Sequence, residues 1–497
     1  GRDFFPKTDA GLLRLYLRAE PGTRIEQTAD QFAQIQQEIR KIIPEHELDF
    51  VFDNIGMPDS INRAWIDSFA IGSYDGELQI QLAKGHQPTS QYESAIRQML
   101  KQKFPEVTLF AQAADTTNQT LSGSTPTALD VRFTGRNLQA SIAKAETLIE
   151  KMQNVEGAVD IGFQQVFALP EYYVHLDRKR AAELGVTTQD TMNSLLGALG
   201  SAGTVSPSFW SDPVFGFSYE VQTRMPLHKL RTTDDLMNLQ IQTSDPQVTV
   251  PLASIASINP RNVAGSIGRT MLKPTVNVLI NTENIDLGSV YKATQQIVNE
   301  LKQDVVPGND IEIMGQAAAM DEAYRDLLFG FLLAVFFIYI IMLFNFASWI
   351  MPLVALSGAP IAISGAIIGL MLTGTTISVP ALMGFIMVIG VSTANSVLVT
   401  TFARDQWVAG KSAFEAAREA ASTRLRPVLM TALTMIIGLL PMALALGEGG
   451  EQNAPLARTV IGGLMLGTFA SLFLVPWTFS MIMQFIKRPQ PIKLPTI

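Results

Sequence analysis

The chain has 497 residues, a length that suggests about three domains and is ample for a large core. Its 37 Lys+Arg against 45 Asp+Glu give a formal net charge of -8, which argues against a nucleic-acid binder. Only 16% of residues are charged, against roughly 25% in soluble domains, and with 47% apolar residues the chain is not wholly soluble.

The absence of cysteine excludes disulfides, thiolate nucleophiles and cysteine-ligated metal. Four scattered histidines (His46, His86, His175, His228) form no HExxH pair, so no local metal motif exists.

Residues 1–326 hold 28 Lys+Arg and 40 Asp+Glu and read as a repeated strand–helix–strand pattern. Leu13, Leu15 and Leu17 alternate with Arg14, Tyr16 and Arg18, the period of a half-buried strand. Thr23-x-x-Glu26 predicts a capping box, and Ile25, Phe32, Ile35, Ile39 and Ile42 recur at helical spacing. A strand over 47–52 follows, ahead of a Gly/Asp/Ser-rich stretch over 53–76. The pattern returns as strand 77–82, helix 90–104 and strand 107–111. Two such halves make a split βαβ, or ferredoxin-like, unit. A second copy opens with strand 129–133, helix 138–152 and strand 159–163. Residues 172–176 begin its second half, which is interrupted until strand 275–280, helix 287–301 and strand 310–314. The stretch 178–264 therefore reads as an insertion.

From residue 327 onward five apolar stretches are each long enough to cross a bilayer, which takes about 20 residues. They cover 327–346, 350–372, 379–402, 428–446 and 460–486, and 327–402 contains no Asp, Glu, Lys or Arg. Arg404, Lys411, Arg418, Arg424 and Arg426 lie between the third and fourth stretches, and Lys487, Arg488 and Lys493 in the tail. Short basic loops stay cytoplasmic, which puts residues 1–326 on the outer side. An odd span count with a large outer N-terminal region then implies a span before Gly1, and the chain reads as a piece of something longer.

Gly410-Lys411-Ser412 echoes the end of a P-loop, but Asp405 stands where the first glycine belongs and no strand precedes it. No GxSxG elbow or metal-ligand cluster points to hydrolysis, so neither an enzyme nor a cofactor is expected. Gly365-x-x-x-Gly369 and Gly463-x-x-x-Gly467 are spaced for close helix approach, and Pro441 is expected to kink the fourth stretch.

Several motifs resemble, in order and spacing, the C-terminal half of a resistance–nodulation–division (RND) efflux permease of the hydrophobe/amphiphile type. They are FFPKTDAG (4–11), PGTRIEQT (21–28), VHLDRKRAAELGV (174–186), FASWIMP (346–352), IGVSTANSVLV (389–399), RLRPVLMTALTMIIGLLPMAL (424–444) and FLVPWTF (473–479). The resemblance implies an α+β periplasmic porter region, built of two ferredoxin-like units with a docking subdomain inserted in the second, followed by an all-α transmembrane helix bundle. Its divisions would be 1–120, 121–177, 178–264, 265–320 and 321–497. It also implies a proton-driven antiporter in the bacterial inner membrane, homotrimeric and in contact with lipid, with residues 1–320 in the periplasm. The implied partners are the N-terminal half of the permease, a periplasmic membrane-fusion adaptor and an outer-membrane channel.

In such permeases paired aspartates of the other half meet a lysine, whose place here falls on Ala394. Arg424 and Thr431 match other relay positions, and Asn395 flanks the lysine site. Arg424 is equally explained as a positive-inside signal, and Ser392, Asn395 and Ser396 as interhelical hydrogen-bonders. The resemblance places a substrate pocket beside a loop at 53–76, with Met57, Trp65, Phe69 and Tyr74 in the loop and Phe110 behind it. These residues suit an adaptable apolar site and equally suit ordinary packing. A metal-exporting relative would need a methionine cluster, and Met57, Met99 and Met152 are dispersed. A lipid- or ligand-binding receptor without proton-driven transport is the other alternative, favoured by spans without interior charges if the partner half also lacks them.

Overall fold

The computed structural model describes residues 1–6, 8–57, 70–114, 127–200, 208–223, 225–243, 245, 247–447 and 449–486. Contacts divide the chain into Gly1–Gln165 with Ser266–Ile497, and Val166–Gly265.

The first module runs β1 (Leu12–Arg18), α1 (Ile25–Ile42), β2 (Leu48–Ile55), β3 (Asp75–Leu82), α2 (Thr89–Lys103) and β4 (Thr108–Gln112). Its sheet order β2-β3-β1-β4 is antiparallel throughout, as a split βαβ unit requires. Leu13, Leu15 and Leu17 of β1 meet Phe32, Ile35 and Ile39 of α1 in the core. The expected capping box is not formed. The helix starts at Ile25 with Arg24 as N-cap, while Thr23 Oγ1 donates to the Glu20 carbonyl at 2.6 Å. The expected wet face of β1 is buried too, with Tyr16 at 4% and Arg18 at 7% exposure.

The second module opens with β5 (Leu129–Thr134), α3 (Leu138–Met152) and β6 (Ala158–Phe163). The chain then leaves for the second unit, which holds β7 (Leu169–Leu176), α4 (Arg178–Glu183), α5 (Thr188–Leu199), β8 (Phe209–Ser211), β9 (Ser218–Glu220), α6 (Thr233–Met237), β10 (Gln240–Gln242), β11 (Thr249–Pro251) and β12 (Ala256–Val263). Here the expectation for 172–176 is corrected. β7 pairs along its full length with β12, and so belongs to the inserted unit rather than to the second porter sheet. The insertion accordingly spans 166–265, wider than 178–264. Its core gathers Ala181, Val186, Leu195, Leu236, Leu239, Ile241, Leu252 and Ile255.

The second module resumes with β13 (Gly268–Thr270), β14 (Lys273–Thr282), α7 (Leu287–Lys302) and β15 (Asp310–Met314). β14 lies between β5 and β6, and β5 pairs with β15, which repeats the first module's strand order. The insertion thus falls between the two βαβ halves, where it breaks no strand pairing.

Among the described residues five helical spans follow: Gln316–Phe346, Met351–Leu372, Val379–Val408, Ala413–Ala443 and Ala454–Met483. The first, third, fourth and fifth are about 30 residues long, some 45 Å, and so exceed a hydrocarbon core of about 30 Å. Arg404, Arg418, Arg424 and Arg426, expected in a loop, therefore ride on helical extensions, and Lys411 lies in the turn between them. Ser412 caps the fourth span in a capping box with Glu415, which accounts for the Gly-Lys-Ser triplet: Gly410, at φ +114°, stops one helix and Ser412 starts the next. Pro427 and Pro441 both lie inside this helix, Pro441 in its last turn.

The glycine motifs work in two directions. A Cβ on Gly365 would lie 2.5 Å from the Gly462 carbonyl oxygen, and one on Gly462 would lie 2.6 Å from that of Gly365. A Cβ on Gly463 would meet Val388, and one on Gly467 would meet Ala362 and Ser392. The fifth span thereby packs on the second span through one glycine face and on the third through the other.

Residues 1–4 bind this bundle to the second module. Arg2 bridges Ile377 in parallel, Asp3 N–H donates to the Ile377 carbonyl at 2.9 Å, and Val379 N–H donates to that of Phe4 at 3.1 Å. Asp286, N-cap of α7, accepts from Arg2 N–H at 2.9 Å, and the Asp3 carboxylate accepts from Leu287 N–H at 2.9 Å. Tyr324 of the first span donates to the carbonyls of Asp3 and Ile377.

Candidate functional site

The third span is the most polar of the bundle's packed helices. Ser392, Thr393, Asn395, Ser396 and Thr400 are all buried against neighbouring spans. Ser396 lies beside Gly358 of the second span and Ser392 beside Gly467 of the fifth. Opposite them the fifth span changes pitch, with a π-helical turn over Ala470–Leu474 between Ala454–Phe469 and Val475–Met483. Such turns are frequent at functional positions, because they displace carbonyls from the regular ladder.

The three candidate relay residues do not converge on one side-chain cluster. The Arg424 guanidinium carbon lies 5.6 Å from the ring centre of Phe402, and its Nε is buried without a hydrogen-bond partner among the described residues. The third and fourth spans run antiparallel, so Asn395 and Thr431, each seven residues away from this level, sit at similar depth about 10 Å further in. Asn395 is buried in this bundle, whereas Thr431 is exposed on the outer face of the fourth span, its hydroxyl bonded to the Val428 carbonyl at 3.0 Å. Ala394 is also exposed, on the face that carries Met387 and Leu398. Both positions face outward from this bundle.

One polar anchor escaped the sequence reading. Arg458, just before the fifth apolar stretch, donates to the Ala443 carbonyl at 2.9 Å and to Thr375 Oγ1 at 2.7 Å. It satisfies a carbonyl at the fourth span's C-terminus and ties three spans at their outer ends. An arginine flanking an apolar run is the signal that could have found it.

The two porter modules meet at an aromatic contact flanked by ionic ones. Tyr16 and Phe110 pack at 6.1 Å between ring centres and close on Leu279. A Cβ on Gly162 would come within 3.1 Å of Phe110 Cζ, so glycine makes room for the ring. Arg18 Nε binds Asp75 at 2.7 Å, and Arg18 reaches the second module at the carbonyls of Phe163 (3.2 Å) and Gln164 (2.9 Å). Burial pushes the Tyr16 phenol upward despite the opposing Arg18 charge, which keeps it neutral and donating or accepting as the joint requires. Nearby, Arg97 of α2 binds Asp160 at 2.7 Å and also Glu283 of the second module. Asp160 holds a left-handed backbone (φ 50°) and accepts from Ala111 N–H and Asn281 Nδ2. Beside this joint is a cavity of about 320 Å³ whose polar lining includes Asp9, Glu93, Gln112, Asn281 and Gln316.

The candidate substrate residues are dispersed. Phe110 is 1% exposed and taken up by the module joint, Tyr74 is buried in the first module, and Met57 is exposed. None of the three lines the cavity. Trp65 and Phe69 lie outside the described residues. Met99 and Met152 are buried within separate modules, and among the described residues no group of three His, Cys, Asp or Glu side chains is placed to hold a metal ion.

Two ferredoxin-like modules joined, among the described residues, to a bundle of five helices long and apolar enough to cross a membrane are the architecture of a multi-pass inner-membrane protein of the RND class. A sequence profile of the AcrB/AcrD/AcrF family matches residues 1–483, and the chain belongs to that family. It is 27% identical over 498 residues to the cobalt-zinc-cadmium resistance protein CzcA of Cupriavidus metallidurans, covering 96% of this chain and 44% of that protein. It is 26% identical over 497 residues to the nickel-cobalt-cadmium resistance protein NccA of Alcaligenes xylosoxydans xylosoxydans, covering 98% and 45%. A crystal structure of a heavy metal efflux pump matches its fold with a TM-score of 0.82 at 24% identity, over 97% of this chain and 48% of that one. The chain spans about half the length of the relatives it matches.

Proposed function

We propose that this chain is the C-terminal half of a proton-driven exporter, working as a homotrimer with a periplasmic adaptor and an outer-membrane channel. The observation that carries the reading is the unfinished bundle. The first and fourth spans leave Phe329, Phe336, Phe337, Ile341, Leu433 and Ile437 exposed, and the fourth also presents Thr431 outward. Faces with that mixture of apolar and polar groups suit a second set of helices better than lipid alone. Residues 1–320 lie in the periplasm on this reading, because the basic helical extensions face the cytoplasm.

For cargo we favour cations. The first 326 residues carry an excess of acidic side chains, and Asp9 and Glu93 line the cavity beside the module joint. Metal-resistance relatives favour divalent cobalt, zinc, cadmium or nickel over the organic amphiphiles that the motif resemblance suggested. The test is a full-length permease expressed in a strain lacking its own pumps. Protection against those metals supports the metal reading, and protection against quaternary-ammonium dyes alone supports the organic one. Protection against neither overturns the exporter reading.

A further inference from the structure

The turn between β13 and β14 is built from residues that its geometry disfavours. Thr270 pairs with Lys273, so the hairpin closes in two residues, Met271 and Leu272. Both hold left-handed backbones, at φ 49° and 67°. Two successive positive φ values make a type I′ turn, whose usual occupants are Asn and Gly because a side chain crowds the neighbouring carbonyl there. Bulky apolar residues at both positions are strained. They gain nothing from burial either. Met271 is 92% and Leu272 93% exposed, more than any other large apolar side chain among the described residues.

The strands say where this turn points. β15 leads into the first span, and β14 leads to Asp286, which residues 2 and 3 help tie to the bundle. β14 and β15 both pair antiparallel with β5, so they run the same way, and the turn lies at the end remote from the bundle. The ten residues of β14 cover about 33 Å. The charge around the turn is basic. Arg269 and Lys273 flank it and are exposed, and a bond from Gly135 N–H to the Pro274 carbonyl at 3.1 Å brings exposed Arg136 alongside. Asp310, at the same end of the sheet, is paired with Lys302 at 3.7 Å.

We propose that Met271 and Leu272 form a docking tip that inserts into the outer region of a neighbouring copy of the permease, an inference that rests on the trimer reading above. The remote end of the module is no place to meet lipid, so the occupant is protein. Charge selects which protein. Three cations ring the tip, whereas residues 1–326 hold 28 Lys+Arg against 40 Asp+Glu, so each copy offers its neighbour an acidic surface. A tip on one copy with its receptor elsewhere on the next is a head-to-tail contact, the kind that closes a ring. Apolar anchors that enter a partner's pocket carry most of the energy of such contacts, and methionine adapts its shape to the pocket it meets. Asn-Gly would turn the chain with less strain but would present no apolar surface to the neighbour.

The experiment uses the full-length permease in cells that also carry the adaptor. With a photoreactive benzophenone side chain at position 272, irradiated membranes should yield a crosslinked species of twice the permease mass. A crosslink to the adaptor, to lipid or within one copy, or none at all from a trimer, overturns the tip. Met271→Asn/Leu272→Gly relieves the strain and removes the anchor. It should accumulate at least as well as the unaltered protein, yet the trimer recovered in mild detergent should fall about tenfold. Met271→Leu/Leu272→Met keeps the apolar volume and should keep the trimer. Unchanged trimer in the Asn-Gly variant, or equal loss in both variants, overturns the proposal. An unaltered permease that is monomeric in the membrane instead overturns the trimer reading, and the tip with it.

Discussion

Arg18 joins the two porter modules: its guanidinium pairs with Asp75 of its own sheet at 2.7 Å and donates to the Gln164 carbonyl of the next module at 2.9 Å. Both side chains are buried, and Asp75 also accepts from Ile71 N–H at 2.6 Å. A buried pair is held mainly by the cost of breaking it.

Arg18→Met should therefore destabilise the protein by about 3–5 kcal/mol, since it leaves a buried carboxylate without its cation. Arg18→Met/Asp75→Asn should recover much of that loss. Thermal unfolding of the four proteins of the cycle checks this, and additive losses would show that the pair is not coupled.

Gly462→Val should abolish assembly of the bundle. The added side chain would start 2.6 Å from the Gly365 carbonyl oxygen, a contact with backbone that no rotamer relieves. Gly438→Ala, where a Cβ meets nothing within 4 Å among the described residues, is the control and should accumulate normally. Quantities in the membrane after mild detergent extraction distinguish the two.

Ala394→Lys should be tolerated in this half, because position 394 is exposed on the bundle's outer face. Ser396→Lys should not, because Ser396 is fully buried beside Gly358. Equal abundance of both variants would refute the facing assigned to the third span.

The tie between the N-terminal segment and α7 should weaken in acid. Partial burial pushes the Asp286 carboxyl upward, but hydrogen bonds from Arg2 N–H and from Ser289 outweigh it and hold the group below the usual carboxylate range. A depressed native pKa contributes stability that is present above the unfolded value of about 3.9 and is lost as pH falls through the native one. Asp286→Ala should cost about 1 kcal/mol near neutrality, as N-cap removal does. That difference should shrink below about pH 4. A gap in melting temperature that stays constant from pH 7 to pH 3 would contradict the role of the ionised carboxylate.

Sequence alone determined the features that repeat locally. Period-two alternation marked β1, helical spacing marked α1, and long runs without charge marked five spans, because each depends only on which residues share a face or must meet lipid. Glycine spacing announced close helix approach, although only the packing showed that Gly365 meets Gly462 while Gly467 meets Ser392. Tertiary structure decided what depends on residues distant in the chain. β7 pairs with β12 some eighty residues later rather than with a porter strand, a choice that local alternation cannot express. Phe110, an aromatic suited to a binding site by its type, became the packing between modules because Gly162 leaves room for it across the joint. The hydroxyls of Thr400 and Ser396 are one turn apart on the same helix, yet one bonds its own backbone and the other lies against Gly358 of the second span. Residue identity supplies the hydrogen-bonding group, and the helix opposite decides what it meets.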